Sequence, residues 1–129
     1  MSKGKVMIVD DDREFLEEFK ETLDLNGYEV IGVSDSTAVL ETANNTKPDV
    51  IVLDLKMDDM SGFEVADELQ HFSNTMQIPV IAVTGFFKEA EHIALLNICG
   101  IKKCIPKPFS PQEVITAIEE VLKKTDKGA

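Results

Sequence analysis

Residues 48–57, PDVIVLDLKM, decide the fold of this chain. Val50 to Leu53 form a continuous apolar run that follows a proline and an aspartate. A short run of this kind is typical of a strand buried on both faces, as parallel strands are in α/β proteins. The run ends on a charge, Asp54, and the reason for a carboxylate at that position has to come from the rest of the sequence.

The rest of the chain alternates between apolar runs and segments with helical periodicity. The predicted strands are residues 5–9, 28–33, 49–54, 78–84 and 102–106. The predicted helices are residues 12–27, 35–45, 61–72, 88–99 and 110–124. Ser61 and Ser110 are the predicted N-caps of two of these helices, and Glu64 completes a capping box with Ser61.

Strict alternation of strands and helices predicts a parallel sheet with helices on both faces. We expect one three-layer (βα)5 α/β domain with the strand order 2-1-3-4-5 of flavodoxin-like folds, which is the common solution at this size. The domain is expected to span residues 1–129, with its core over residues 4–124. Residues 125–129 are expected to form a tail or the stub of a linker.

Length and charge limit the functions that this chain can have. Its 129 residues suffice for one domain with a core, and its net charge of −11 argues against nucleic acid or an anionic membrane surface as a direct partner. No apolar run could span a membrane and no signal peptide opens the sequence, so we expect a cytoplasmic protein. Cys99 and Cys104 are accordingly expected to be reduced and partly buried.

Chemically active residues follow several of the predicted strands. The first strand leads into Asp10–Asp12, the third ends on Asp54, the fourth ends on Thr84, and Lys107 follows the fifth. In a sheet of this order, ligands bind outside the carboxyl ends of the strands, where the strand order reverses. Asp54 therefore ends its strand where a site is expected.

The acidic residues of this edge predict a magnesium site. Carboxylates that lie close together repel one another and need protons or a cation, and hard oxygen ligands suit Mg²⁺. Asp11 is expected to bind the ion directly and Asp10 through a water molecule. A carboxylate can also act as a nucleophile and form an aspartyl-phosphate, and Asp54 is the candidate because it lies between the acids and Lys107. Lys107 would neutralise the phosphoryl oxygens and Thr84 would donate a hydrogen bond to them.

Four motifs in this order resemble the receiver domain of bacterial two-component response regulators, over essentially residues 4–124. The motifs are VDDD (9–12), VLDLKM closed by MSG (52–62), VTG (83–85) and KPF (107–109). The resemblance implies that Asp54 accepts a phosphoryl group from a histidine kinase and that Mg²⁺ is held by Asp10, Asp11, Asp54 and the backbone carbonyl of Lys56. It also implies that Thr84 is a switch hydroxyl, that Lys107 is a phosphate partner, and that the Lys107–Pro108 bond is cis.

The resemblance further implies a signalling module and not an enzyme, with only self-phosphorylation and self-dephosphorylation of its own. The expected partners are a sensor histidine kinase or phosphotransfer protein, and a downstream effector or a covalently linked output domain. The expected output surface comprises the predicted helix 88–99, strand 102–106 and helix 110–124, and a dimer through it is a further expectation. Lys56 and Phe86 are expected to shield the acyl phosphate from water, so that self-dephosphorylation is slow.

The sequence departs from the family pattern at two places. Cys104 stands where the family usually has an aromatic residue that moves with the threonine, so we expect the signal to run through Phe86 and Phe87. Asp58 and Asp59 stand where a proline and a small residue are common, and they add negative charge near the site.

Three alternatives remain open at this point. Asp10–Asp12 also fits the Asp-x-Asp motif of haloacid dehalogenase-type phosphatases, although Glu14 stands where a threonine or valine is expected. A nucleotide- or flavin-binding module on the same fold would need a phosphate-binding loop after the first strand, and the sequence has none. The third alternative is a receiver that works as an interaction domain without phosphorylation.

Overall fold

A computed structural model describes residues 2–55, 61–84 and 100–128 of the chain. Five strands form one sheet: β1 Lys5–Val9, β2 Glu29–Val33, β3 Val50–Asp54, β4 Val80–Thr84 and β5 Ile101–Pro106. Their order is β2-β1-β3-β4-β5 and all four pairings are parallel. The structure therefore confirms the predicted α/β fold and its strand order.

The described residues contain four α-helices and one short 3-10 helix. The α-helices are α1 Arg13–Leu25, α2 Val39–Thr46, α3 Gly62–Gln70 and α4 Pro111–Gly128. The predicted helix 35–45 begins as the 3-10 turn Ser36–Ala38, and α4 continues beyond its predicted end at residue 124. The predicted helix 88–99 lies outside the described residues. No helix in the described ranges is both long and apolar enough to cross a membrane.

Side-chain caps fix where three of these helices begin. The Asp12 carboxylate accepts hydrogen bonds from the backbone N–H groups of Glu14 and Phe15, which are orphan donors of the first turn. Ser61 caps α3, because its Oγ accepts from the N–H of Glu64 at 3.2 Å. Ser110 and Glu113 form a reciprocal capping box at α4.

The two faces of the sheet carry separate hydrophobic clusters. On β3, Val50 and Val52 pack with residues of α1 and α4, whereas Ile51 and Leu53 pack with residues of α2 and α3. All five residues of β3 are buried. Burial on both faces explains the continuous apolar run, because alternate side chains of a strand point to opposite sides of the sheet.

Gly62 allows α3 to begin directly against the end of β3. Its N–H donates to the carbonyl oxygen of Leu55 at 3.1 Å. A Cβ at this position would lie 2.5 Å from the backbone oxygen of Asp54 and 2.5 Å from the Cα of Leu55. Any larger residue would push the helix away from the strand end, and the glycine of the MSG motif therefore helps to position Asp54.

Candidate functional site

Asp10 and Asp54 lie side by side because they continue the same face of two neighbouring strands. Val50 and Val52 face the α1 side of the sheet, so the two-residue period turns Asp54 to that side too. Asp10 follows β1, which pairs with β3, and its backbone N–H donates to the carbonyl of Val33 at 3.1 Å. Both aspartates are buried, with 3% of Asp10 and 4% of Asp54 exposed.

Asp11 completes an acidic cluster with these two residues. Each of the three offers a carboxylate oxygen, and the three oxygens lie within 4.8 Å of one another. Asp10 and Asp54 are buried and Asp11 is exposed, so the cluster opens to solvent on one side. Three hard oxygen donors with an open side match the requirements of Mg²⁺, which binds through a few carboxylates and keeps some of its waters.

The surroundings of Asp10 change the pKa of its carboxyl group. Burial raises the pKa of the Asp10 carboxyl above its ordinary value, and the neighbouring carboxylates of Asp54 and Asp11 raise it further. A hydrogen bond from the Asp12 N–H and the charge of Lys107 lower the pKa of Asp10 but do not cancel the effect of burial. The cluster therefore favours a bound proton or a cation.

Lys107 supplies a positive charge at the same place. Its Nζ lies 3.3 Å from Asp54 Oδ2 and 3.8 Å from Asp10 Oδ2. Its backbone N–H donates to the carbonyl oxygen of Thr84 at 2.8 Å, and the Lys107–Pro108 peptide bond is cis, as the resemblance implies. Lys107 thus stays bonded to the end of β4, beside β5, and its ammonium group reaches the two buried carboxylates.

Thr84 is the last residue of β4, between the strand that bears Asp54 and the strand that leads to Lys107. It is buried, with 4% of its surface exposed. In the sheet register Asp54 pairs with Val83, and Thr84 pairs with Pro106. The structure therefore brings Asp10, Asp11, Asp54 and Lys107 together and places Thr84 on the same edge of the sheet.

Several sequence predictions concern residues that the structure does not describe. The Lys56 carbonyl, the two acidic residues of the 56–60 segment, and Phe86 and Phe87 lie outside the described ranges, and so does Cys99. Cys104 is described, and it is a free, half-buried thiol, as predicted. Burial raises the pKa of the Cys104 thiol to about 11.

Phe15 and Phe109, for which the sequence predicts no role in the site, form one of its walls. An open cleft of about 610 Å³ is lined by Phe15 and Phe109 together with the acids and Lys107. The two rings meet edge to face, with their centroids 5.9 Å apart. Phe15 is only three residues beyond the Asp12 cap. Its position in the first turn of α1, close to the aspartates after β1, could have indicated that it lies at the site.

Comparisons with known proteins identify the family to which this domain is similar. Residues 6–119 match the family described as response regulator receiver domain. A protein described as probable transcriptional regulator ycf27, from Guillardia theta, is 34% identical over 128 residues, which cover 99% of this chain and 49% of that protein. Response regulator MprA of Mycobacterium sp. (strain KMS) is 31% identical over 121 residues, which cover 94% of this chain and 51% of that protein.

Among solved structures, a response regulator receiver domain protein (CheY-like) from Methanospirillum hungatei JF-1 superposes with a TM-score of 0.89 at 27% identity, covering 97% of this chain and 98% of that one. The chain spans about half the length of the curated relatives that it matches. Because the family match covers most of the sequence and the fold and acidic edge agree with it, the chain belongs to the response regulator receiver domain family, the phosphoacceptor modules of two-component signalling.

Proposed function

We propose that Asp54 is the phosphoacceptor of this domain. The observation that carries the proposal is the position of Asp54, a buried carboxylate at the end of the central strand, with the Lys107 ammonium 3.3 Å from its Oδ2. An oxygen of Asp54 attacks phosphorus and forms a P–O bond, while the bond from phosphorus to the imidazole nitrogen of the donor histidine breaks. The imidazole leaves with the electron pair of that bond and takes up a proton.

Lys107 and Thr84 would act on the phosphoryl oxygens. The ammonium group of Lys107 already balances part of the negative charge of Asp54 and Asp10. After transfer it would form an ion pair with the phosphoryl oxygens on Asp54. The Thr84 hydroxyl, on the adjacent strand at the same edge, would donate a hydrogen bond to a phosphoryl oxygen. Movement of Thr84 toward that oxygen is the proposed start of the conformational switch.

Asp10, Asp11, Asp54 and the backbone carbonyl of Lys56 would hold Mg²⁺. The donors fit this ion, because the described part of the set consists of three carboxylate oxygens within 4.8 Å of one another, with one side of the cluster exposed. When bound, Mg²⁺ supplies positive charge that offsets the repulsion between the carboxylates and the phosphoryl oxygens. The buried position of Asp10 and Asp54 keeps their oxygens directed at this one point.

The proposed partners follow from the reaction. The phosphoryl group would come from a sensor histidine kinase or a phosphotransfer protein in the cytoplasm. The phosphorylated domain would act on an effector protein or on an output domain of the same chain, through β5, α4 and the predicted helix 88–99. We also propose that self-dephosphorylation is slow, and loss of the phosphoryl group within seconds would contradict this.

Intact-mass measurement after incubation with acetyl phosphate and Mg²⁺ tests the proposal. We expect one added phosphoryl group on the wild type and on Asp49→Asn, and none on Asp54→Asn. Asp49→Asn is the matched control, because Asp49 lies at the opposite end of the same strand. Equal phosphorylation of Asp54→Asn would overturn the assignment of the acceptor. Absence of the adduct on the wild type at saturating Mg²⁺ would favour an interaction domain that works without phosphorylation.

A further inference from the structure

The position of the Lys107 ammonium requires an explanation beyond its attraction to the carboxylates. A lysine side chain is a flexible chain of four carbons with a strongly hydrated charge, and its head group ordinarily remains in water. Here 37% of the side chain is exposed, yet Nζ lies against both buried aspartates. Its third neighbour is the ring of Phe15, whose centroid is 6.0 Å from Nζ.

Phe15 is itself held firmly in place. Its backbone N–H is bonded to the Asp12 carboxylate at 3.2 Å in the capped first turn of α1. Its ring is tilted by 41° against the ring of Phe19 at a centroid distance of 5.4 Å, and Phe19 is buried in the core. Phe109 packs on both rings, at 5.9 Å from Phe15 and 6.2 Å from Phe19. An aromatic cluster of Phe15, Phe19 and Phe109 therefore connects α1 to the loop that carries Lys107.

We propose that Phe15 is a positioning residue for phosphoryl transfer. Its ring attracts the Lys107 ammonium through a cation–π interaction and restricts it to the side of the cleft where the Asp54 oxygen is located. The proposal rests on the proposed function, since the step that it assists is the attack of that oxygen on phosphorus. As the P–O bond forms and the bond to the leaving group breaks, negative charge spreads over the phosphoryl oxygens. If the ammonium group is already in position, it stabilises this charge without having to change its conformation or lose water during the reaction.

The geometry distinguishes this role from that of an ordinary core residue. Phe15 is only partly buried: it packs against the edge of the hydrophobic core and, together with Asp11, also lines the cleft. If Phe15 served only to fill space, leucine would replace it with a small loss of stability and no effect on Lys107. If its ring face holds the cation, tyrosine will replace it and leucine will not.

Nuclear magnetic resonance of the metal-free protein tests the contact without any phosphoryl donor. We expect the ε-methylene protons of Lys107, assigned by their loss in Lys107→Met, to be shifted upfield by the ring current of Phe15. This shift should disappear in Phe15→Leu and persist in Phe15→Tyr. A wild-type Lys107 signal at the position of an exposed lysine, or one that is unchanged in Phe15→Leu, would overturn the proposal.

Phosphorylation rates with acetyl phosphate at saturating Mg²⁺ test the effect on the reaction. We expect the rate constant of Phe15→Leu to fall about three- to tenfold and that of Phe15→Tyr to stay within about twofold of the wild type. Phe72→Leu is the control, because Phe72 is a half-exposed phenylalanine just beyond the end of α3, whereas Gly62 at the start of that helix lies against Asp54. The nine residues of the helix between them rise about 13 Å.

The two measurements separate the possible failures. A wild type that phosphorylates, with Phe15→Leu at the same rate, would overturn the role of Phe15 while leaving Asp54 as acceptor. A wild type that takes up no phosphoryl group would contradict the proposed function and with it any role of Phe15 in transfer, and the lysine signal alone would then decide whether the ring holds Lys107.

Discussion

Strand β3 has an aspartate at each end, Asp49 just before it and Asp54 as its last residue, and the two carboxylates have different surroundings. Asp49 is exposed, and its Oδ2 accepts a hydrogen bond from the backbone N–H of Lys5 at 2.8 Å. Its own N–H donates to the carbonyl of Lys5, so it extends the pairing of β1 with β3. Asp54 is buried beside Asp10 and Asp11.

The two ends differ in how the charge of their carboxylates is compensated. At the amino end, an exposed carboxylate is satisfied by a backbone donor and by water, so it needs no cation. At the carboxyl end, two of three carboxylates have lost their water, and Lys107 forms ion pairs with both Asp10 and Asp54. Under the proposed function, this surplus of buried negative charge would favour a bound cation, and the cation would in turn favour a phosphoryl group.

The largest expected effect concerns the packing that supports the carboxyl end. Gly62→Ala should destabilise the protein by about 3 kcal/mol, because the new methyl group would lie 2.5 Å from backbone atoms of β3. Gly32→Ala is the matched control, since no atom lies within 4 Å of its Cβ position, and it should change stability by less than about 0.5 kcal/mol. Urea unfolding would measure the change in the free energy of unfolding of both variants. Equal changes would show that the contact between Gly62 and the end of β3 is not tight.

Removal of a lysine should have unequal consequences at the two ends. Lys107→Met should destabilise the metal-free protein at neutral pH by about 1–2 kcal/mol, because it leaves Asp10 and Asp54 without this partner. Lys5→Met should cost less than about 1 kcal/mol, because Lys5 bonds the Thr46 carbonyl and an exposed glutamate. The comparison requires a chelator during urea unfolding, and a larger loss for Lys5→Met would contradict the contrast between the ends.

Neutralising one aspartate at each end should shift stability in different directions. The raised pKa of Asp10 means that the folded state binds its proton more tightly than the unfolded state does. Its favourable contribution is therefore complete below the unfolded-state pKa and is lost as pH rises through the folded-state pKa. We expect Asp10→Asn to raise the neutral-pH stability of the metal-free protein by about 1 kcal/mol, and Asp49→Asn to lower it by less than that.

The same pair of variants should respond differently to acid and to magnesium. The advantage of Asp10→Asn should shrink toward acid pH, where the wild-type carboxyl is protonated. Added Mg²⁺ should stabilise the wild type and Asp49→Asn more than Asp10→Asn. Thermal unfolding at several pH values, with and without Mg²⁺, measures both effects. An Asp10→Asn variant that is less stable than the wild type without metal would show that burial of this charge is compensated elsewhere.

The smallest expected effect concerns another polar group near the carboxyl edge, in the turn after β2. The Ser36 Oγ is buried and has no hydrogen-bond partner within the described ranges. Ser36→Ala should leave stability unchanged or raise it by up to about 1 kcal/mol, because an unpaired buried hydroxyl is unfavourable. Thr75→Val should instead lower stability by about 1 kcal/mol, since the buried Thr75 hydroxyl donates to the Leu69 carbonyl at 2.7 Å. If calorimetry showed that Ser36→Ala is less stable than the wild type, the Ser36 hydroxyl would have a hydrogen-bond partner that the structure does not show.

The fold and the residues at the strand ends could be predicted from the sequence. The apolar run of β3 predicts burial on both faces, and the structure buries all five of its residues. The alternation of strands and helices predicts a parallel sheet, and the order β2-β1-β3-β4-β5 that the structure confirms is the common solution at this size. The burial of β3 and the type of each element depend on periodicities of two and 3.6 residues, which act within one element and can be read from neighbouring positions.

The distances between the side chains of the site are set by the tertiary structure. It placed the Lys107 Nζ 3.8 Å from Asp10 Oδ2, although these residues lie near opposite ends of the domain in sequence. It also placed Phe15, which packs against the core cluster on the α1 side of the sheet, in the wall of the cleft beside Lys107. Distances of this kind depend on how helices pack on the sheet and on the path of each loop. Since these are set by the whole core together, no local pattern in the sequence contains them.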